Sequence, residues 1–274
     1  MRLAPLPPCN LRPNAYYICP MKFRLTLLLL LLFNLTNAQV VNIEARRLHT
    51  DSIRFVGDFN LALLLNSTNG KSITTIRGNI ISQWKSKNYK HLVLASANYD
   101  LAKAEEESFV NNFYIHFRYN YKINHWMRWE AFEQTQTNEP LGLQFRQLVG
   151  TGPRFKIKLN KDADVFLGTA YMYEYEKTIP PTVEILRLHR WSNYGSLSIH
   201  VPKLNGSIIS TIYYQPVFND FSDFRIMNDT RVDFNLTAKW RVYTRFSYLF
   251  DSQPPSSIQK NALNFEQGFG FSIR

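Results

Sequence analysis

Leu263-Asn264-Phe265-Glu266-Gln267-Gly268-Phe269-Gly270-Phe271-Ser272-Ile273, just before the terminal Arg274, is the stretch that decides the fold. Leu263, Phe265, Phe269, Phe271 and Ile273 share one face; Asn264, Glu266, Gly268, Gly270 and Ser272 share the other. Period-2 alternation is the mark of a β-strand with two unlike surroundings. Working back, residues 109–121 repeat it, with Phe113, Ile115, Phe117, Tyr119 and Tyr121 against Tyr114, His116, Arg118 and Asn120. So do residues 224–237, where Phe224, Ile226, Val232, Phe234 and Leu236 oppose Arg225, Asp229, Arg231, Asp233 and Asn235.

Extended over the chain, the pattern predicts about twelve strands, near 53–65, 72–84, 90–101, 109–122, 126–137, 143–158, 164–176, 185–201, 204–215, 223–238, 240–251 and 262–273. Each is long enough for a tilted strand to cross a bilayer. Connections around Asn124-His125, Asn160–Ala163 and Ala238-Lys239 read as tight, whereas Ala102–Ser108, Lys177–Val183, Pro216–Ser222 and Ser252–Asn261 read as longer. Short turns on one rim and long loops on the other are the habit of outer-membrane barrels. Aromatics gather at strand ends, at Trp126 and Trp129, Tyr171 to Tyr175, Tyr213 and Tyr214, Trp240, Tyr248 and Phe250. These are expected as girdles at the lipid interface, with membrane lipids as the partner. The fold class expected is all-β: an antiparallel up-and-down transmembrane barrel.

Composition agrees. Aromatic residues make 15% of the 274 and charged residues 19%, yet mean hydropathy is −0.27. Apolar residues spread singly among polar ones give both values at once. The one long apolar run, Leu25 to Leu35, follows Lys22 and Arg24, is interrupted by Asn34 and ends near Thr36-Asn37-Ala38. It is too short to span and has the shape of a signal peptide cut after Ala38. Residues 21–38 are thus expected to be the signal, and 39–52 a periplasmic segment ahead of a barrel over 53–274. Met21 fits as the true start, which makes residues 1–20 a mis-called extension. Both cysteines, Cys9 and Cys19, fall there, so neither a disulfide framework nor a lipid-modified cysteine is expected in the exported chain.

The net charge is +11; four of the 32 basic residues and no acid precede Gln39, leaving 28 against 21 acids, or +7. No basic block or motif accompanies it, so no nucleic-acid partner is expected. Alternation instead puts charges on the inner face: Arg118, Arg128, Arg146, Arg154, Arg190, Arg231, Arg241 and Arg245, with Glu130, Glu174, Asp233 and Glu266. In a narrow lumen they should interlock as ion pairs, a polar plug. The competing expectation is a narrow arginine-lined passage for small anions.

No cofactor, metal or catalytic residue is expected. His189 near Ser192 invites comparison with a membrane-embedded lipid hydrolase, but alternation puts them on opposite faces. His116 and His200 are expected to face inward without metal-like clustering. Gly150 and Gly152 sit within a strand pattern, where glycine marks a bend or close approach rather than a phosphate loop.

Tyr213-Tyr214-Gln215-Pro216, Ser222-Asp223-Phe224-Arg225 and Phe250-Asp251-Ser252-Gln253-Pro254-Pro255 together resemble domain-of-unknown-function family 481, some of whose members are called salt-induced outer-membrane proteins. Gly150-Thr151-Gly152-Pro153-Arg154-Phe155 and Val41-Asn42-Ile43-Glu44 are similar too. The resemblance implies an outer-membrane barrel without established activity. One departure is the end, Phe271-Ser272-Ile273-Arg274, where such strands usually finish on an aromatic residue read by the barrel-assembly machinery. Phe269 or Phe271 is expected to serve instead.

N-terminal sequencing of membrane-extracted protein should begin at Gln39. A mature chain that retains Cys9 or Cys19 would overturn both the start site and the cysteine argument.

Overall fold

The computed structural model describes residues 53–68, 71–104, 107–138, 141–180, 183–255 and 258–273. The expected extension, signal peptide and periplasmic segment lie outside them. The described chain forms β1 (Phe55–Thr68), β2 (Lys71–Lys85), β3 (His91–Ala104), β4 (Glu107–Lys122), β5 (Met127–Asn138) and β6 (Leu143–Lys158). It continues as β7 (Ala163–Thr178), β8 (Ile185–Val201), β9 (Gly206–Val217), β10 (Asp220–Asn235), β11 (Trp240–Asp251) and β12 (Asn261–Ile273). All neighbours are antiparallel and β1 pairs with β12, so the sheet is a closed barrel. Every predicted strand is present, with ends within three residues of those expected.

Alternation became a barrel because on most strands the apolar set is exposed and the polar set buried. On β12, Ala262, Asn264, Glu266, Gly268, Gly270 and Ser272 are buried, while Phe265 and Phe269 are exposed. That is the reverse of a water-soluble sheet. Exposed large apolar side chains such as Phe59, Ile80, Phe117, Leu167, Ile212 and Phe246 cover the outer wall. The observation makes sense only if the outer wall meets hydrocarbon.

One rim carries both ends of the sheet and five turns, 86–90, 123–126, 159–162, 202–205 and 236–239. Each turn has a local cause. Asn124 Oδ1 accepts from the backbone N–H of Trp126 and Met127, Asn160 Oδ1 from Asp162, and Thr237 Oγ1 from Lys239 and Trp240. Short polar side chains that cap their own backbone favour turns over continued strand. We call this the near rim.

The far rim departs from the expected loop lengths. Only 179–184 and 252–260 are longer than the near-rim turns; the segments expected as loops at 102–108 and 216–222 are mostly strand, because β3 runs to Ala104 and β9 to Val217. Ladder bonds belong to the backbone, so pairing extends past the apolar band through residues whose side chains look loop-like. A bulge between Asp220 and Phe224 absorbs the extra length on β10. Two residues at the end of β10 depart from the predicted facing. Leu236 lies beyond the strand in a turn, and Asn235 is exposed at the rim, donating to the Asn205 carbonyl, rather than inside the lumen.

Inside the far mouth, Gly142 adopts a φ of 69° and lies so close to Ile258 that a Cβ there would fall 2.9 Å from it. The Ile179 N–H donates to the Gly142 carbonyl at 3.0 Å. Segments from three connections therefore meet there, and Leu141 joins Leu143, Leu249 and Ala262 in an apolar cluster within the barrel.

Phe246 stands near the middle of β11, facing outward, whereas Phe234 lies one residue from the end of β10. Arginine on a lipid face costs about 2–4 kcal/mol at mid-depth and about 0–1 near an interface. Phe246→Arg should sharply lower the yield of heat-modifiable folded barrel in vesicles, and Phe234→Arg only slightly. Equal yields would contradict the placement of the outer wall in lipid.

Candidate functional site

The candidate site is the lumen. Nine arginines and nine carboxylates are buried among the described residues, so their formal charges cancel. They are organised as knots at different heights.

Toward the far rim, Glu174 on β7 is fully buried. It accepts from Arg190 Nε of β8 at 2.9 Å and from Arg225 Nη1 of β10 at 2.6 Å, and Arg146 Nε of β6 stands 3.5 Å away. Glu176 takes Arg146 Nη2 at 2.5 Å and Arg225 Nη2 at 3.2 Å. Arg225 Nε completes its fork on Asp251 at 2.6 Å, and Arg190 Nη1 reaches Asp223 and the Gln215 carbonyl, each at 3.1 Å. Arginine suits this work because its planar, permanently charged fork serves several acceptors at once.

At mid-height, Arg77 of β2 bridges Asp100 at 2.9 Å and Glu266 at 2.5 Å, and Tyr243 donates its hydroxyl to Glu266 at 2.6 Å. Arg245 holds Asp229 at 2.5 Å. Nearer the chain ends, Arg241 binds Asp58, Asn60 and Ser272, while Arg231 and Arg241 share Asp233. Since Asp58 lies on β1 and Ser272 on β12, directly paired, this knot bolts the seam that closes the barrel. On the opposite wall Glu130 accepts from Arg118 at 2.9 Å and from the Tyr194 hydroxyl at 3.2 Å, with Arg154 Nε at 3.7 Å. Arg154 also lies 3.9 Å over the Phe166 ring.

Between the Glu174 and Glu130 knots is a chamber of about 80 Å³, lined by side chains including His116, Phe132, Leu148, Met172, Ser192 and Tyr213. It has room for several waters. A second apolar cluster, Ile81, Leu92, Leu94 and Tyr114, fills the β2–β4 side of the lumen.

Of the twelve charges predicted to face inward, eleven are buried and belong to these knots; Arg128 lies on the same face but is half-buried near the rim. Sequence reasoning did not single out Asp58, Arg77, Asp100, Glu176, Arg225, Asp229 or Asp251 as site residues. Arg225 and Asp229 did stand on the polar side of a predicted strand, and Asp223, Arg225 and Asp251 lie within the motifs that carried the family resemblance. That signal could have found them. Ser192 points inward and accepts from Gln215 at 2.8 Å, whereas His189 points outward to the Tyr171 hydroxyl at 2.5 Å. His116 is fully buried, and His200 is exposed near the rim. Gly152 marks a close approach, since a Cβ there would run into the Thr169 carbonyl, and Gly150 lies against the Phe132 ring.

A family profile described as "Protein of unknown function, DUF481" matches residues 59–273, which is nearly the whole barrel. The chain belongs to the DUF481 family. No curated protein matches it in sequence. Among solved structures, the NanC porin is similar over 80% of this chain and 100% of its own, at 11% identity and a TM-score of 0.50. An outer membrane channel from Pseudomonas putida F1 is similar over 86% of this chain and all of its own, at 10% identity and a TM-score of 0.49. The translocator domain of the autotransporter NalP from Neisseria meningitidis covers 83% of this chain and 91% of its own, at 9% identity and a TM-score of 0.48. At such identities the likeness is one of fold. The DUF481 chain is an outer-membrane-type barrel, and the motif residues Gln215, Asp223, Arg225 and Asp251 all meet in its far-rim knot.

Removing one member of a buried pair strands the other charge and costs about 3–5 kcal/mol. Glu174→Ala leaves three guanidinium groups around a void, so the unfolding free energy of the detergent-folded barrel in urea should fall by that much, with the midpoint lowered in proportion. Lys156 and Asp164, paired at 2.9 Å but partly solvated, provide the contrast: Lys156→Ala should cost less than about 1 kcal/mol. Similar midpoints for the two variants would show that the knot does not hold the barrel.

Proposed function

We propose that this DUF481 protein is a mostly closed barrel of the bacterial outer membrane with a structural, envelope-maintaining role, and that it is not an enzyme. The observation that carries the reading is the neutral, interlocked lumen. A pore selective for anions needs an excess of unpaired positive charge along a continuous passage. Here the buried arginines are matched one for one by carboxylates, and apolar clusters occupy both the far mouth and the β2–β4 wall. Its partners on this reading are membrane lipids and, during biogenesis, the barrel-assembly machinery, with Phe269 or Phe271 as the outward aromatic it reads.

One feature favours a second reading, a narrow small-solute channel. The 80 Å³ chamber lies in the lumen between two ion-pair knots, so loosening either knot would lengthen it toward a rim. The Arg118–Glu130 pair is the side toward the near rim.

In planar bilayers the refolded wild type should show no steady conductance. The double variant Arg118→Ser, Glu130→Ser, which removes bulk and both charges together, should admit brief openings. Steady single-channel steps from the wild type, with anion over cation preference, would replace the structural reading by the channel.

A further inference from the structure

The outer wall breaks its own rule at Glu133. On β4 the outward residues are Phe113, Ile115, Phe117, Tyr119 and Tyr121, and the middle one, Phe117, lies directly across from Glu133 on β5. On the other side Glu133 faces Val149 of β6. The carboxylate is thus exposed at mid-height of an apolar wall, where hydrocarbon is the solvent. Gln147 Nε2 donates to its Oε1 at 3.1 Å. A carboxyl group in either protonation state has more acceptor positions than one donor fills, and no water is available at that depth to fill the others. Ionisable side chains facing lipid are costly, and one that is present calls for a partner.

Beside Glu133 the wall is hollow. A trough of about 470 Å³ runs from Val93 on β3, past Phe117, Ala131 and Val149, to Tyr171 and Tyr173 on β7. Its floor is low because the outward side chain of Ala131 is short and the Thr151 hydroxyl turns back to the Glu130 carbonyl at 2.8 Å. Val93 is close to the near rim and Tyr173 is toward the far one, so the trough slants across the height of the wall. At its far end Tyr173 pairs with His189, and the Arg187 guanidinium lies 5.7 Å over the neighbouring Tyr175 ring.

We propose that this trough is a lipid site. One acyl chain lies along it, its headgroup sits at Tyr173, His189 and Arg187, and a mid-chain hydroxyl donates to Glu133. Shape selects the class of occupant, since a concave apolar trough takes a rod. A second barrel would set trough against trough and leave the hollow unfilled. Depth selects the chemistry: a hydroxyl supplies the missing donor without bringing a second charge into hydrocarbon. The cation at the far end adds attraction for a headgroup phosphate.

The inference rests on the outer wall facing lipid and is independent of whether the lumen conducts. The test is native mass spectrometry of barrel inserted in vesicles that contain equal amounts of two phosphatidylcholines, one plain and one bearing a mid-chain hydroxyl. Wild type should retain the hydroxylated lipid about tenfold over the plain one, the effect of one hydrogen bond at the upper end of the usual net range. Glu133→Leu should fold normally, being apolar on a lipid face, and lose the preference. Ala131→Trp, which fills the floor, should lower retention of both lipids. Equal retention by the wild type would mean that Gln147 alone satisfies Glu133 and would overturn the site, as would a preference that survives Glu133→Leu. Recovery of a second barrel in place of lipid would overturn it too. A wild type that fails to enter the vesicles overturns the site together with the membrane reading; one that enters and shows no preference overturns the site alone.

Discussion

Charge compensation inside a closed sheet is the constraint on which the rest of this structure depends. Closing the barrel forces every inward side chain into one narrow space, and any guanidinium left there without an acceptor costs several kcal/mol. The solution is a set of ties that ignore sequence order. Arg77 meets Glu266 across 189 residues, and Arg241 meets Asp58 across 183. Such ties do more than neutralise charge. Sliding a strand such as β4 or β10 by one residue would turn its arginines toward lipid and its phenylalanines into the lumen. The ion pairs and the apolar wall therefore specify the same register from opposite faces.

The two walls differ in how tightly they specify structure. On the inner wall each arginine needs named partners at hydrogen-bond distance, so Glu174 cannot be moved without disturbing Arg146, Arg190 and Arg225 together. On the outer wall Phe246, Phe265 and Ile212 need only be apolar, and lipid adapts to their shapes. Polar groups that do occur outside are mostly satisfied by a neighbour one strand away: Trp129 donates to Thr151 at 2.8 Å and Trp191 to Thr169 at 2.6 Å. Glu133 stands apart because its one donor leaves a carboxyl group short at mid-height.

The strands were legible because lipid and lumen impose opposite demands at successive residues, and β4, β10 and β12 largely obey, with Gln267, Asn228 and Thr230 outside and Met227 inside as the exceptions. The lumen charges were legible for the same reason. Their pairing was not. Arg77 sits in a β2 stretch, Ile76 to Ile81, where isoleucine falls on both faces: Ile76 and Ile80 are exposed and Ile81 points inward. Leu92 and Leu94 blur β3 in the same way by filling the lumen with apolar bulk. Asp58 and Asp100 looked unremarkable because an isolated acid in a weakly alternating strand carries no signal until its partner, far away in sequence, is known. Loop lengths misled for a different reason: Asp220 to Phe224 is loop-like in composition yet continues the ladder through a bulge.

The placement of the knots has a mechanical consequence. The far-rim knot joins β6, β7, β8, β10 and β11 through Glu174, Glu176 and Arg225, and the Asp58 knot joins β1, β10, β11 and β12. Both include β10 and β11, so these strands form a spine that neither knot can release alone. The lower part of the opposite wall is held differently. There Glu130 of β5 gathers Arg118 of β4, the Tyr194 hydroxyl and Arg154, while the inner face of β2 and β3, nearer the near rim than Arg77 and Asp100, is filled by the Ile81, Leu92, Leu94 and Tyr114 contacts. Apolar contacts are non-directional and tolerate sliding, whereas a forked ion pair does not. The β3–β5 wall, with Leu92, Leu94 and Tyr114 and one knot at Glu130, therefore has fewer directional ties than the spine. That same wall carries the trough and Glu133 on its outer face, so what sits against the barrel from the membrane bears on the part of the barrel most able to yield.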